Sequence, residues 1–150
     1  MCSSFRVKTS DGHVFFVFNF EAGGDNQTKV VFYPKGTDFS ASAPEGRKAA
    51  SWSSKYAVAG MGWYNQPMLG GGVNEHGLFV GLTNFTLRPP DPACRSRGRL
   101  CLDMLAMPSM QTLVATARQL EDRSYNPFKL VATDGQRAVR VLFDERPRIE

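Results

Sequence analysis

Polar and apolar residues alternate from Ser4 to Thr9, with Phe5, Val7 and Thr9 on one side and Ser4, Arg6 and Lys8 on the other. That period of two predicts a half-buried strand whose apolar side faces the core. Asp11-Gly12 is a dipeptide that accepts the positive φ of a tight hairpin. The unbroken apolar run Val14 to Phe18 then predicts a second strand, buried on both faces. The chain is thus expected to start inside a sheet, with no leader. Met1 precedes a small residue, so loss of the initiator would leave Cys2 first.

Further along, Gly23-Gly24-Asp25-Asn26 marks a turn and Lys29 to Tyr33 a third strand, stopped by Pro34-Lys35-Gly36. Residues 37 to 51, rich in Ser, Ala, Gly and charge, read as a long surface loop. Tyr56 to Trp63 is a glycine-interrupted strand, Gly70-Gly71-Gly72 a mobile turn, and Asn74 to Gly77 a second turn leading into the strand Leu78 to Phe85. The proline-rich piece Arg88 to Pro92 reads as a linker.

Helical spacing follows. Leu100, Cys101, Met104 and Leu105 share a face after Ser96, and Pro108 stops the run. Ser109 then caps a second helix, with Met110, Leu113, Val114, Ala117 and Leu120 at three- and four-residue spacing. Phe128 to Thr133 and Ala138 to Phe143 make a last hairpin across Asp134-Gly135. Strands, a helical pair and strands again define an α+β class.

Composition narrows the function classes. At 150 residues, 42% hydrophobic and 21% charged, the chain suits one globular domain. The net charge of +4 is dispersed, so nothing argues for a nucleic-acid partner. Three cysteines without a CxxC pair and two histidines disfavour a disulfide scaffold, a zinc site or another metal, and suit a reducing compartment. No run approaches the ~18 apolar residues of a transmembrane helix. Arg95, Arg97 and Arg99 read first as a solvated helix start, with an anionic ligand or phosphate as the sharper alternative. His76 reads as a turn residue, and Met107 and Met110 as core.

Cys2 is where chemistry enters. An N-terminal cysteine carries a thiol and an α-amine of pKa about 7.7–8.0 on one residue, and the amine can serve as base for the thiol. Cys2, the hairpin ending in Asn19-Phe20-Glu21, and Gly72 to Leu78 running into Leu82-Thr83-Asn84-Phe85 together resemble cysteine N-terminal-nucleophile hydrolases. Two branches are similar. The choloylglycine hydrolase and penicillin V acylase branch shares the Asn-Glu-x-Gly-Leu segment and an Asn beyond it, and Trp52 to Tyr56 also looks like it. The transport and Golgi organisation protein 2 family, named for an Asn-Arg-Asp-Glu motif, shares Leu82-Thr83-Asn84, Arg95 to Gly98 with Leu100, and Tyr125 to Leu130 in order and spacing. The second is the preferred reading here.

That resemblance implies an αββα sandwich, with residues 1–150 forming a single domain cut short at its C-terminus relative to the family. It implies a role in intracellular trafficking or in handling haem- or lipid-like ligands, with a cytoplasmic location and Golgi or mitochondrial association. The amidase branch implies instead hydrolysis of linear C–N amide bonds, with a small-molecule amide or acyl ligand and no cofactor. There Cys2 is the nucleophile and supplies the amine base, Glu21 orients the amine, and Asn84 holds the oxyanion. A third implied class is a ligand-binding module that kept the fold and lost the chemistry. Phe18 speaks for it, because it stands where the hydrolases carry an arginine; nothing nearby in sequence obviously replaces that cation, and Arg6 or Lys8 across the hairpin are the candidates. The Asn-Arg-Asp-Glu motif is also broken, since Asn19-Phe20-Glu21-Ala22 keeps only the asparagine and one acid.

Overall fold

The computed structural model describes residues 3–19, 28–40, 51–63, 66–84 and 89–150. The opening hairpin is present, with β1 (Ser3–Lys8) and β2 (Val14–Asn19) antiparallel and Phe5 opposite Val17. Gly12 takes φ +92° at its turn, where Thr9 N donates to His13 O at 2.9 Å. A seven-stranded antiparallel sheet follows, in the order β11-β10-β9-β8-β7-β6-β3. Its strands are β3 (Thr28–Tyr33), β6 (Val58–Trp63), β7 (Gln66–Asn74), β8 (Phe79–Asn84), β9 (Phe128–Thr133), β10 (Ala138–Phe143) and β11 (Pro147–Ile149). A small pair, β4 (Asp38–Ser40) and β5 (Ser51–Ser53), forms a sheet of its own.

Two helices, α1 (Arg97–Leu105) and α2 (Met110–Arg118), begin where the sequence places them. Ser96 Oγ accepts from Arg99 N at 3.4 Å and Ser109 Oγ from Thr112 N at 3.3 Å, each satisfying an amide that the helix leaves open.

Adjacent glycines reveal the layering. A Cβ on Gly72 would meet Leu105 of α1 at 3.3 Å, whereas one on Gly71 would meet the Phe18 ring at 3.1 Å. Successive strand residues face opposite sides. The helices therefore cover one face of the large sheet and the hairpin lies on the other. On the helix side, Val80, Leu82, Phe128, Leu130, Ala132, Val141 and Phe143 stand opposite one another in register and are all buried. This is the core.

Several expectations are corrected. Phe5 and Val7 face away from the sheet and are 52% and 44% exposed. The polar face of β1 turns inward instead, because Arg6 Nη2 donates to Gly135 O in the β9–β10 turn at 3.1 Å. β2 is likewise not buried on both faces: Val14, Phe16 and Phe18 are half-buried, while Phe15 and Val17 are exposed beside Val7 and Phe5. Val30 and Phe32 on the edge strand β3 are exposed as well. Gly70 to Gly72 are no turn. They lie inside β7, where the missing side chains allow strand, helix and hairpin to approach closely. The long loop after Thr37 contains β4 and β5, with residues 41–50 outside the described set. Nothing in the sequence pattern had suggested β11.

Asn74 holds the layers at one corner. Its Nδ2 donates to Leu105 O and Met107 O, both at 2.9 Å, at the end of α1. Its Oδ1 accepts from His76 N and Leu78 N at 3.0 and 3.1 Å, shaping the β7–β8 turn. The residue is 4% exposed, so little water can replace these four bonds. Asn74→Ala is expected to cost about 2–4 kcal/mol, as buried partners go unpaired. The check is a chemical-denaturation midpoint at unchanged m; a loss under about 0.5 kcal/mol would refute the role.

Candidate active site

The hairpin and the large sheet converge at one end. β2 runs beside β8 in the same direction, since Phe16 meets Phe79 (ring centroids 4.7 Å apart) and Phe18 meets Gly81 two residues on. β1 runs back, so its first described residue, Ser3, opposite Asn19, lies toward the end at which β8 finishes with Asn84. Asn84 stands opposite Phe128 of β9. Just before it, Thr83 Oγ1 donates to Lys129 O at 3.5 Å. Of the residues expected to form the site, Asn84 is placed by its backbone, while Cys2 and Glu21 fall outside the described residues.

Phe18 projects from β2 into this region. Its ring straddles Gly71 and Gly81, which face each other across β7 and β8. A Cβ on Gly81 would lie 2.7 Å from Phe18 Cδ2 and Cε2, and one on Gly71 3.1 Å from Cε1. A side chain at Gly81 would displace the ring, and one at Gly71 would press on it. Sequence reading missed this pair because a run of three glycines looks like a turn. Alternation through Gly71-Gly72-Val73-Asn74 was the available signal.

The replacement cation expected from β1 is not supplied by Arg6. Its guanidinium bonds Gly135 O at the turn end of the hairpin, away from the end at which β1 begins. Lys8 lies two residues further still.

On the helix side of the same sheet end is a cavity of about 500 Å³, lined in part by Met68, Cys94, Arg95, Ser96, Arg97 and Asn126. The arginines expected at a solvated helix start are engaged in the structure. Arg97 Nη1 donates to Pro127 O at 2.8 Å, Arg95 pairs with Glu121 at 3.0 Å, and Arg99 bonds Asp103 at 2.7 Å while lying 3.6 Å over the Trp52 ring. Burial lowers the Arg97 pKa, with negative charge on Cys94 acting the other way.

Arg95 also bridges Tyr125, Arg95 N donates to Ser124 O at 2.9 Å, and Asn126 exchanges hydrogen bonds with the Asp91 backbone. The motif pieces Arg95 to Gly98 and Tyr125 to Leu130 thus meet to join the start of α1 to the start of β9. His76 sits in its turn with Tyr56 edge-on at 4.4 Å. Burial pushes the Cys101 thiol up to about 12, so it stays protonated and hidden at neutral pH. Cys94 is half-buried. Among the described residues, no three His, Cys, Asp or Glu side chains group as metal ligands. No described helix is long and apolar enough to cross a membrane.

Helices on a sheet, with a second β layer on its far face, give the α+β architecture of N-terminal-nucleophile hydrolases. The whole chain superposes on penicillin V acylase from Agrobacterium tumefaciens at TM-score 0.73 and 18% identity, covering 49% of that chain. It matches an arginine-to-leucine variant of the conjugated bile acid hydrolase from Clostridium perfringens at 0.73 and 19%, covering 99% of this chain and 50% of that one. A cysteine-to-alanine mutant of the same hydrolase gives 0.72 and 20%, with the same coverage. The chain therefore spans about half the length of these structures. Residues 2–90 match the choloylglycine hydrolase family of linear amide C–N hydrolases, and the chain belongs to that family. No curated protein sequence matches it. The family is that of the amidase alternative; the preference for the transport and Golgi organisation branch is not supported.

Proposed function

We propose that the protein hydrolyses a linear C–N amide bond of a small molecule, with Cys2 as nucleophile. Membership of the hydrolase family over residues 2–90 supports this reading, because that span contains Cys2, Glu21 and Asn84. The observation that carries it is the shared sheet end: the chain enters β1 on the side where β8 finishes at Asn84. The thiol of Cys2 passes its proton to the α-amine as Sγ attacks the carbonyl carbon. Negative charge then collects on the carbonyl oxygen, which the Asn84 amide and backbone N–H groups hold. The C–N bond breaks as the α-ammonium returns the proton to the leaving nitrogen. Water, activated by the same amine, finally releases the acid from the Cys2 thioester. Glu21 orients the amine. With Phe18 in place of a cation, the thiol gains no stabilisation of its thiolate from that position.

The trafficking or ligand-handling reading ranks below this one, since the motifs that carried it serve packing between α1 and β9. We also read residues 1–150 as part of a domain about twice as long; the exposed apolar faces of the hairpin and β3 support that.

The mechanism requires a free α-amine on Cys2. Active material is expected to lack Met1 by intact mass and to hydrolyse members of a panel of N-acyl amino acids. Full activity with Met1 retained on every molecule would sink the mechanism. Ligand-induced thermal shifts that survive Cys2→Ala, with no hydrolysis across the panel, would favour a binding module.

A further inference from the structure

The hairpin that would carry the nucleophile forms its own two-stranded sheet, so side chains rather than a shared strand ladder register it on the seven-stranded sheet. Among the described residues, three positions along the hairpin make such contacts. Arg6 bonds Gly135 O at the turn end, Phe16 packs on Phe79 in the middle, and Phe18 sits across Gly71 and Gly81 nearest the open end. The third differs from the others. An arginine can re-aim its guanidinium and two rings can slide, but the Phe18 ring meets backbone on both strands, with no room for even one added carbon at Gly81.

Of these contacts, this one lies nearest the end at which β1 begins and β8 finishes. Ser4 is paired with Phe18, and position 2 lies two residues before it, within about 7 Å of extended chain. Asn84 lies three residues beyond Gly81, about 10 Å along β8. The geometry points to Phe18, seated on Gly71 and Gly81, as a positioning residue that fixes the height and register of the start of β1 over β8, and through it the proposed nucleophile Cys2. This inference rests on the amidase reading for its catalytic consequence. It assigns Phe18 a definite part in an active enzyme, where the loss of an arginine alone would suggest a dead one.

The test is a pair of substitutions that first break the seat and then rebuild it. Gly81→Ala pushes a methyl into the ring and should lower kcat by about 10- to 100-fold with KM within about twofold, since displacement of a reacting group by ~1 Å costs on that scale. Adding Phe18→Leu removes Cε2, one of the two ring atoms 2.7 Å from the added methyl, and frees the remaining branch to turn away from it, so the double variant should regain most of the lost turnover. A purely structural role would lower melting temperature and leave the kcat of the folded fraction unchanged. A folded Gly81→Ala protein with wild-type kcat overturns the proposal, and so does a double variant no faster than the single.

If Gly81→Ala does not fold, Phe18→Ala serves instead: it empties the seat without a clash, and unchanged kcat in that variant is equally fatal. Hydrolysis that survives Cys2→Ala, or none in wild-type protein, counts against the amidase reading rather than the seat. The seat is then read from the iodoacetamide rate at Cys2, resolved by peptide mass. Gly81→Ala should change that rate several-fold and the double variant restore it; equal rates in all three proteins overturn it.

Discussion

Asn84→Ala is expected to reduce amide turnover by about 10²–10³, the usual loss when one donor is removed from an oxyanion site. Substrate affinity should hardly move, because the oxyanion exists mainly in the transition state. The backbone reason is local. β8 is anchored along its length by the register of Gly81 on Gly71 and Leu82 on Leu130, and it stops at Asn84, facing Phe128. The end of a strand held in this way moves little as charge develops beside it. Steady-state kinetics on the best substrate of the N-acyl amino acid panel, with melting temperature as a folding control, reads this directly. A tenfold or larger rise in KM at unchanged kcat would mean that Asn84 binds ground-state substrate, and the oxyanion role would fall.

The largest stability effect should come from Phe128→Ala. Phe128 is fully buried, stacks on Phe143 with ring centroids 5.0 Å apart and planes 4° apart, and takes the edge of Tyr125 at 6.0 Å. Such a truncation costs about 3–5 kcal/mol through lost burial and the cavity left behind. Domains of this kind have only about 5–15 kcal/mol in total, so the variant should be close to unfolding at 37 °C. Denaturant titration at unchanged m measures it; a loss below about 1 kcal/mol would show that the core closes around the gap. Cys101 gives an internal check. Its thiol is buried and held protonated, so labelling there reports opening of the fold. Because burial raises that pKa from 9.0 to about 12, the contribution of this thiol to stability is complete below about pH 9 and is lost as the pH climbs towards 12.

Local signals were legible in the sequence, and relations between layers were not. Both helix starts follow from Ser96 and Ser109, because a cap hydroxyl acts on an amide three residues away. The hairpins at Asp11-Gly12 and Asp134-Gly135 follow from the positive φ that glycine supplies at Gly12 and Gly135. The inward face of β1 could not be read this way. Alternation divides Phe5 and Val7 from Arg6 but does not say which side meets the sheet, and here Arg6 points in because a turn carbonyl awaits it. The glycines of β7 were misread for the same reason: Gly71 makes room for Phe18, more than fifty residues earlier in the chain, and Gly72 for Ala59 and Leu105 on the other face. Asn74 looked like a turn residue and is one, but its two bonds to the end of α1 depend on packing that no local pattern reports. Motif order is what proposes Cys2 and Asn84. What brings their strands to one end is the stacking of the hairpin on β8.

The central claim is that Cys2 attacks an amide carbonyl. Its most direct test is acyl-enzyme trapping: the mature protein is mixed with an N-acyl substrate, quenched in acid within the first turnover, digested and mapped by mass spectrometry. The account predicts the acyl mass as a thioester on the N-terminal peptide beginning at Cys2, with Cys94 and Cys101 unmodified and no adduct in Cys2→Ala. Turnover with the acyl group on Cys94, or equal turnover in Cys2→Ala, would contradict it.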